Sequence, residues 1–443
     1  MVKKKPHDLI VLGASGYTGR QLVRALMRQS PGRSVRIGLA GRDRAKLEAL
    51  NSGFDLLDAN LDDASSITRL AAGGRVLLNL AGPYAERGEQ VIQACLAGGC
   101  HHLDLSGEVF WMRQMLQRHH AQALQRGLLV VPACGYEALP FDVATLAAAR
   151  ALLLEHGERC AQVDVSVRFT GAGIRRLSDA VSGGTLDSMR TVLMYDRSDS
   201  LQRMDCLLPD NLPEGWNANA VALRNAAPLS PWWDADWGTV MAPTLPAPFI
   251  NPPLVLRTAA LASEAFTPDF RYREGMQMRD GVEKLLGPLA HVLPSSSLVQ
   301  AGLGGTSRAA QWSAAAALSA PLAALSAAAG QESKLGRQAL QRLIALVGPK
   351  PGEGPSREQL DAMGYELSLR AVGERGTPLQ ALLSAQGHPG YRSTPEMMAA
   401  VGLALAEGRL GQGKAGVLSP GAAFGAEALE FLESAHVRWS INP

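Results

Sequence analysis

Short apolar runs and helical stretches take turns along the first third of the chain. Residues 8–13, Asp-Leu-Ile-Val-Leu-Gly, form an apolar run closed by glycine, and from 17 to 29 the apolar positions Leu22, Val23, Leu26 and Met27 recur at helical spacing. This predicts strand, tight loop, helix. The unit repeats: 35–40 reads as a second strand, and Asp43 caps a helix through Leu50 whose positions Ala45, Leu47 and Leu50 share a face. Further apolar runs at 54–57, 76–80, 101–105 and 128–133 are each separated from the next by a helical stretch. Strands alternating with helices at this spacing predict an α/β fold, a doubly wound parallel sheet covered on both faces and joined by right-handed crossovers.

Beyond about residue 151 the pattern changes. Strict alternation over 162–169 predicts a half-exposed strand, and a second alternating strand is expected at 365–372. Between 209 and 253 the chain is rich in Pro and Trp (Trp216, Trp232, Trp233, Trp237), which suits irregular structure rather than long helices, with the tryptophans in local packing. Two helical stretches around a glycine-rich turn are expected over 394–432. The expected division is a first domain over 1–145, a second, α+β substrate domain over 146–395, and C-terminal helices over 396–443 packing back on the first.

The loop between the first strand and its helix reads Gly13-Ala-Ser15-Gly16-Tyr17-Thr18-Gly19. Such a loop, at a strand end and a helix start, turns sharply, lets the backbone approach a pyrophosphate, and points free helix N–H groups at the anion. The first domain is therefore expected to be of Rossmann type, with Gly13, Ser15, Gly16, Tyr17, Thr18 and Gly19 holding a dinucleotide. The spacing is Gly-x-x-Gly-x-x-Gly rather than the commoner Gly-x-Gly-x-x-Gly; its place between strand and helix supplies the specificity. The second strand ends in Ala40-Gly41-Arg42, with no acid to hold ribose hydroxyls, and Arg42 can fork onto a 2′-phosphate, so NADP is favoured over NAD.

The carboxyl ends of parallel strands line the ligand crevice. Ala81, Gly82, Pro83 and Tyr84 follow the fourth strand, Asp104 and Glu108 close the fifth, and Cys134, Tyr136 and Asp142 follow the sixth. Ala81, Gly82, Pro83 and Cys134 are expected to border the cofactor, and Tyr84, Glu108 and Tyr136 to supply a proton donor. None of the seven tyrosines has Lys four residues later, which excludes the Tyr–Lys device of short-chain dehydrogenases.

Composition narrows the partner. The 443 residues carry a net charge of +2, too little for a nucleic-acid field, and 47% hydrophobic with 19% charged residues suits a globular protein. Five cysteines without a Cys-x-x-Cys pair and nine histidines without a His-x-x-x-His set predict neither a disulfide framework nor a metal site. No apolar stretch follows Lys3, Lys4 and Lys5, so export is not expected and a cytoplasmic location fits. Residues 309–331 lack charge, but the run is Ala- and Ser-rich and broken by Pro321, which predicts a buried or surface-lying helix rather than a membrane span. The expected partner is a small, apolar molecule; peripheral membrane or lipid contact and a homodimer are compatible with this reading.

Taken together, the motifs resemble the saccharopine dehydrogenase-like oxidoreductases, in the branch that includes the trans-acting enoyl reductases. The matching segments are the glycine loop, Leu39-Ala-Gly-Arg-Asp-Arg-Ala-Lys-Leu47, Ala81-Gly-Pro-Tyr84, Asp104-Leu-Ser-Gly-Glu108, Ser182-Gly-Gly-Thr185, Gly352-Glu-Gly-Pro-Ser356, Gly387-His-Pro-Gly-Tyr391 and Gly416-Val-Leu-Ser-Pro420. The resemblance implies an NADP-binding Rossmann domain with an α/β substrate domain, and reduction of a carbon–carbon double bond in a lipid-like chain. Relatives carry a small polar residue where this chain has Phe141. Two other readings stay open: a non-catalytic NADP-binding protein associated with lipid or a complex, and an amino-acid dehydrogenase whose cationic pocket would draw on Arg168, Arg175, Arg176 and Arg257.

Overall fold

The computed structural model describes residues 5–171, 203–244, 249–278, 308, 311–313, 315–316, 319–320 and 353–442. The chain forms two units, one of Met1–Ala144 with Gly390–Val437 and one of Thr145–Pro389 with Arg438–Pro443.

In the first unit the six expected strands are present as β1 (His7–Leu12), β2 (Ile37–Gly41), β3 (Asp55–Asp58), β4 (Gly74–Asn79), β5 (His101–Asp104) and β6 (Leu129–Val131). A seventh, the two-residue β13 (Gly416–Val417), was not foreseen; so short a run carries no periodicity to read. The order is β13-β6-β5-β4-β1-β2-β3, and every pairing is parallel. The chain winds outward from β1 in both directions, so the strand order reverses between β1 and β4, the place where doubly wound sheets bind ligands.

One face of this sheet is sealed by α3 (Ala64–Gly73) and α4 (Tyr84–Gly98), with Ile10, Leu12, Leu77, Ile67, Leu70, Val91 and Cys95 in a common core. Over the other lie α1 (Tyr17–Gln29) and the helix Thr394–Ala406. The latter is buried along all thirteen residues, as its nearly unbroken Met, Ala, Val, Gly and Leu sequence demands. Gly402 lets it sit on the sheet, since a Cβ there would stand 3.1 Å from the Leu78 side chain.

The second unit holds a mixed sheet of β7 (Cys160–Gly171), β8 (Trp232–Asp234), β9 (Thr239–Ala242), β10 (Phe266–Gln277), β11 (Met363–Gly373), β12 (Pro378–Gln386) and β14 (Val437–Ile441), in the order β14-β12-β11-β7-β10-β9-β8. β7 (Cys160–Gly171) and β11 (Met363–Gly373) are the two expected alternating strands, paired antiparallel, and β7 pairs in parallel with β10 (Phe266–Gln277). The helices expected toward the C-terminus are present as Thr394–Ala406, Pro420–Phe424 and Ala428–Leu432 in the first unit, and the chain adds a strand after them. Its last strand, β14 (Val437–Ile441), joins this second sheet. The Pro/Trp stretch contains β8 (Trp232–Asp234) and β9 (Thr239–Ala242), and Trp232 packs into space left by Gly275, where a Cβ would come within 2.4 Å of the ring.

Arg168 is paired with Glu366 at 2.5 Å, and buried Arg257 donates to the Leu207 carbonyl at 2.8 Å. Neither is a bare cation awaiting a carboxylate; Arg175 and Arg176 lie outside the described residues, as do Ser182–Thr185 and most of 309–331. Among the described residues, no helix is long and apolar enough to cross a membrane.

Candidate cofactor and active site

The glycine loop sits at the carboxyl end of β1. Gly13 takes a φ of +84°, and a Cβ there would lie 3.1 Å from the Leu80 carbonyl carbon, so the turn is pressed against the chain leaving β4. Gly19 is held closer still: its Cβ would fall 2.2 Å from the Gly13 carbonyl oxygen. Gly16 is exposed and forms the N-cap of α1, and it makes no side-chain cap bond to the first turn. Arg20 donates to the Ser15 carbonyl at 2.9 Å and fixes the loop from beneath. Ser15 lies beside Gly41 at the end of β2, whose Cβ would stand 3.6 Å from Ser15 Oγ. The result is an open backbone cradle on a helix N-terminus, and it fits a pyrophosphate.

Next to Gly41, Arg42 is exposed. Its neighbour Asp43 turns away to cap the following helix, accepting from Lys46 N at 3.1 Å, and Arg44 is engaged by Glu48 at 3.2 Å and Asp58 at 3.8 Å. Among the described residues Arg42 makes no ion pair. It is the cation left available at the end of β2, where a 2′-phosphate would be met.

On the other side of the switch point, Gly82 is exposed and Ala81 and Pro83 are half-buried. Two of the expected proton donors there are occupied with backbone. The Tyr84 hydroxyl donates to the Asn79 carbonyl at 3.1 Å and accepts from Leu105 N at 3.4 Å, while its ring packs on Trp111 at 5.8 Å; burial holds its acidity far below that of a free phenol. The Glu108 carboxylate accepts from Tyr84 N at 3.1 Å and Ala85 N at 2.7 Å, capping α4 from a distance in sequence. Asp142 likewise accepts from Gly421 N at 2.7 Å.

Beneath this edge lies a buried pair. Asp104 and His102 are both fully buried, with Asp104 Oδ2 3.7 Å from His102 Nδ1. Desolvation pushes Asp104 up to about 7 and His102 down to about 3.

The loop after β6 brings Cys134, Tyr136 and Glu137 to the same edge. Cys134 is fully buried, its N–H donating to the Asp104 carbonyl at 2.8 Å and its thiol to the Val131 carbonyl at 3.3 Å, and burial pushes the thiol well up. Tyr136 is buried against Phe141, ring centroids 5.4 Å apart. Phe141 therefore fills core beside Tyr136. Glu137, which the sequence pattern does not single out, keeps partial exposure, and desolvation pushes its carboxyl up to about 7. No local motif distinguishes it from any other glutamate. What does so is its enclosure, which only the fold supplies.

A parallel sheet in this order, with a bare glycine cradle at its switch point and an available arginine at the end of β2, defines a dinucleotide-binding protein of the Rossmann class. Residues 9–131 match the family model described as saccharopine dehydrogenase NADP binding domain. Over 448 residues the chain is 30% identical to a Mycobacterium tuberculosis protein that bears a provisional trans-acting enoyl reductase name, covering 97% of this chain and 96% of the relative. It is 27% identical to the trans-acting enoyl reductase of Mycobacterium bovis over 98% of this chain and 97% of that protein. Among solved structures, the apo saccharopine dehydrogenase (L-Glu forming) of Saccharomyces cerevisiae aligns over 98% of this chain and 99% of that chain, at 13% identity and a TM-score of 0.49. The chain belongs to the saccharopine dehydrogenase-like oxidoreductases, and its cofactor is NADP.

Proposed function

We propose that the protein is an NADPH-dependent reductase acting on an activated carbon–carbon double bond of an acyl or similarly apolar substrate, with Glu137 as the proton donor. The bound cofactor supplies hydride to the electron-poor carbon. The adjoining carbon receives the displaced electron pair, which its carbonyl delocalises as an enolate, and then takes a proton from the protein. Glu137 suits that role because it stands in the loop after β6, at the carboxyl edge of the NADP-binding sheet, and with a midpoint near 7 it is partly protonated at neutral pH. The partly buried carboxyl group of Glu137 at this edge of the sheet is the observation that carries the assignment. The substrate class is supported by full-length similarity to proteins named enoyl reductases. Tyr84 and Glu108 serve by holding the turn into α4, and Tyr136 by packing beneath Glu137's loop.

A panel of enoyl thioesters of different chain length, incubated with protein and NADPH, tests this. Substrate-dependent NADPH oxidation is expected, and Glu137→Gln should slow it at least about a hundredfold while NADPH affinity holds. NADPH binding without oxidation on any thioester would instead favour a non-catalytic NADP-binding role. Full activity in Glu137→Gln would remove the glutamate from the chemistry.

A further inference from the structure

Away from the site itself, the second sheet carries an ion network in which Arg273 pairs with Asp164 and Asp234, and Arg370 with Asp164 and Asp236, so each of these charges already has a partner. Cys95 and Cys100 are neighbouring buried thiols with no route to an oxidant in view. The segment 390–396 is different, because its contacts converge on the cofactor site.

Within the first unit this segment touches three places that the sequence leaves hundreds of residues away. Tyr391, buried, sets its ring edge-on against Tyr17, the first residue of α1 and a member of the glycine loop, with centroids 5.5 Å apart. Thr394 Oγ1 accepts from Tyr136 N at 2.8 Å, one residue before Glu137. A Cβ on Gly135 would come within 2.7 Å of the Thr394 methyl group, so the two residues are in close contact. Glu396, buried, receives Gln29 Nε2 at 2.7 Å and the Arg28 guanidinium, and lies 3.5 Å from Arg392 Nε. The segment is thereby pinned to the far end of the same helix whose N-terminus carries the cradle. In the sheet, β1 and β6 are separated by β4 and β5, so one short stretch ties the loop that meets pyrophosphate to the loop on the far side of the switch point.

We infer that Tyr391 and Thr394 are positioning residues for NADP(H): Tyr391 presets the glycine loop for the pyrophosphate, and Thr394 presets the Gly135–Glu137 loop against the nicotinamide end. Each acts through a neighbour and neither need touch the cofactor. The inference rests on the NADP reading of the site and assigns its two ends to two different residues. A buried hydroxyl accepting a backbone N–H fixes a loop because the alternative is an unpaired buried donor. An edge-to-face ring pair fixes relative orientation as well as burying area.

The experiment is fluorescence titration of the full chain with NADPH, following both the dissociation constant and the intensity and wavelength of bound nicotinamide emission. Tyr391→Leu keeps most of the apolar volume and should weaken NADPH binding about three- to tenfold, with Tyr391→Phe close to wild type. Thr394→Val should leave the dissociation constant within about threefold, yet return nicotinamide emission toward that of free NADPH; Thr394→Ser should restore the wild-type spectrum. A purely structural role would lower the melting temperature without separating affinity from emission. Wild-type affinity and emission in both Tyr391→Leu and Thr394→Val would overturn the assignment, as would parallel loss of both signals in every variant that remains folded. Failure of the wild-type protein to bind NADPH would sink the cofactor reading itself, a result visible before any variant is made.

Discussion

Arg42 and Arg44 differ by two positions and by everything that surrounds them. Arg44 is already paired with Glu48 and lies near Asp58, and Asp43 between the two arginines is committed to the helix N-terminus, where its bonds to Lys46 hold its carboxyl below the usual range. Only Arg42 is left for a 2′-phosphate, and a guanidinium–phosphate pair adds two parallel charge-assisted bonds that NADH cannot use. Arg42→Ala is expected to weaken NADPH binding by about 1.5–3 kcal/mol, roughly ten- to a hundredfold, and to leave NADH binding nearly unchanged. Arg44→Ala should do neither. Titration of each variant with both nucleotides checks this, and equal losses for NADPH and NADH in Arg42→Ala would place the arginine elsewhere. At Glu137 the expected pH behaviour follows from its raised midpoint. The acid form is the donor, so the rate of the proton-transfer step should fall as pH rises through about 7. A pH profile of single-turnover NADPH oxidation would show this limb, and Glu137→Gln should lose it.

At the scale of elements, the strand–loop–helix units of the first sheet were legible because each carries its own signal. A parallel strand buried on both faces is a continuous apolar run, its helix has a 3.6-residue period, and Asp43 marks a start. The strands that escaped include β8, β9, β10 and β12 of the second sheet, and two whose existence depends on distant chain. β13 is two residues long and is a strand only because β6 lies beside it. β14 is a strand only because the second sheet offers an edge. The candidate site divides in the same way: Gly13, Gly16 and Gly19 are marked by spacing and Arg42 by its place at a strand end, whereas the enclosure of Glu137 and the contacts of Tyr391 and Thr394 are products of the fold. Glu108 shows how a side chain can be noticed while its contacts stay hidden. A strand-end acid suggested proton transfer, but the carboxylate holds the first two N–H groups of α4, a turn opened by Pro83, which has no donor and cannot cap with its side chain. Glu108→Ala would leave both N–H groups without their acceptor, and a loss of about 1–3 kcal/mol in unfolding free energy is expected. Glu108→Gln, which keeps one acceptor oxygen, should lose less. If Glu108→Ala instead left denaturant stability intact and abolished turnover, the cap would be incidental and the carboxylate chemical.

Across the molecule, His102 and Asp104 make folding move a proton without taking one up. In the unfolded chain at pH 5, Asp104 with its ordinary value of 3.8 is ionised and His102 with its ordinary value of 6.5 is protonated. Burial reverses both, since neither charge is tolerated without water: Asp104, near 7, holds its proton, and His102, near 3, has none. Taken singly, Asp104 favours folding below 3.8 and loses that contribution as pH rises through 7. His102 favours folding above 6.5 and loses its contribution as pH falls toward 3. Between about pH 4 and 6.5 each state of the pair binds one proton, so the pair's net effect on stability is flat there. Removing either partner exposes the other. His102→Gln should make stability fall with rising pH from about 4 to 7, and Asp104→Asn should make it fall with decreasing pH below about 6.5, each with a slope approaching 1.4 kcal/mol per pH unit relative to wild type. Urea unfolding at half-unit pH steps measures both slopes. Because they are opposite in sign, a general loosening of the fold, which would shift every pH alike, cannot imitate them, and two variants with parallel pH profiles would show that the buried pair does not exchange its proton on folding.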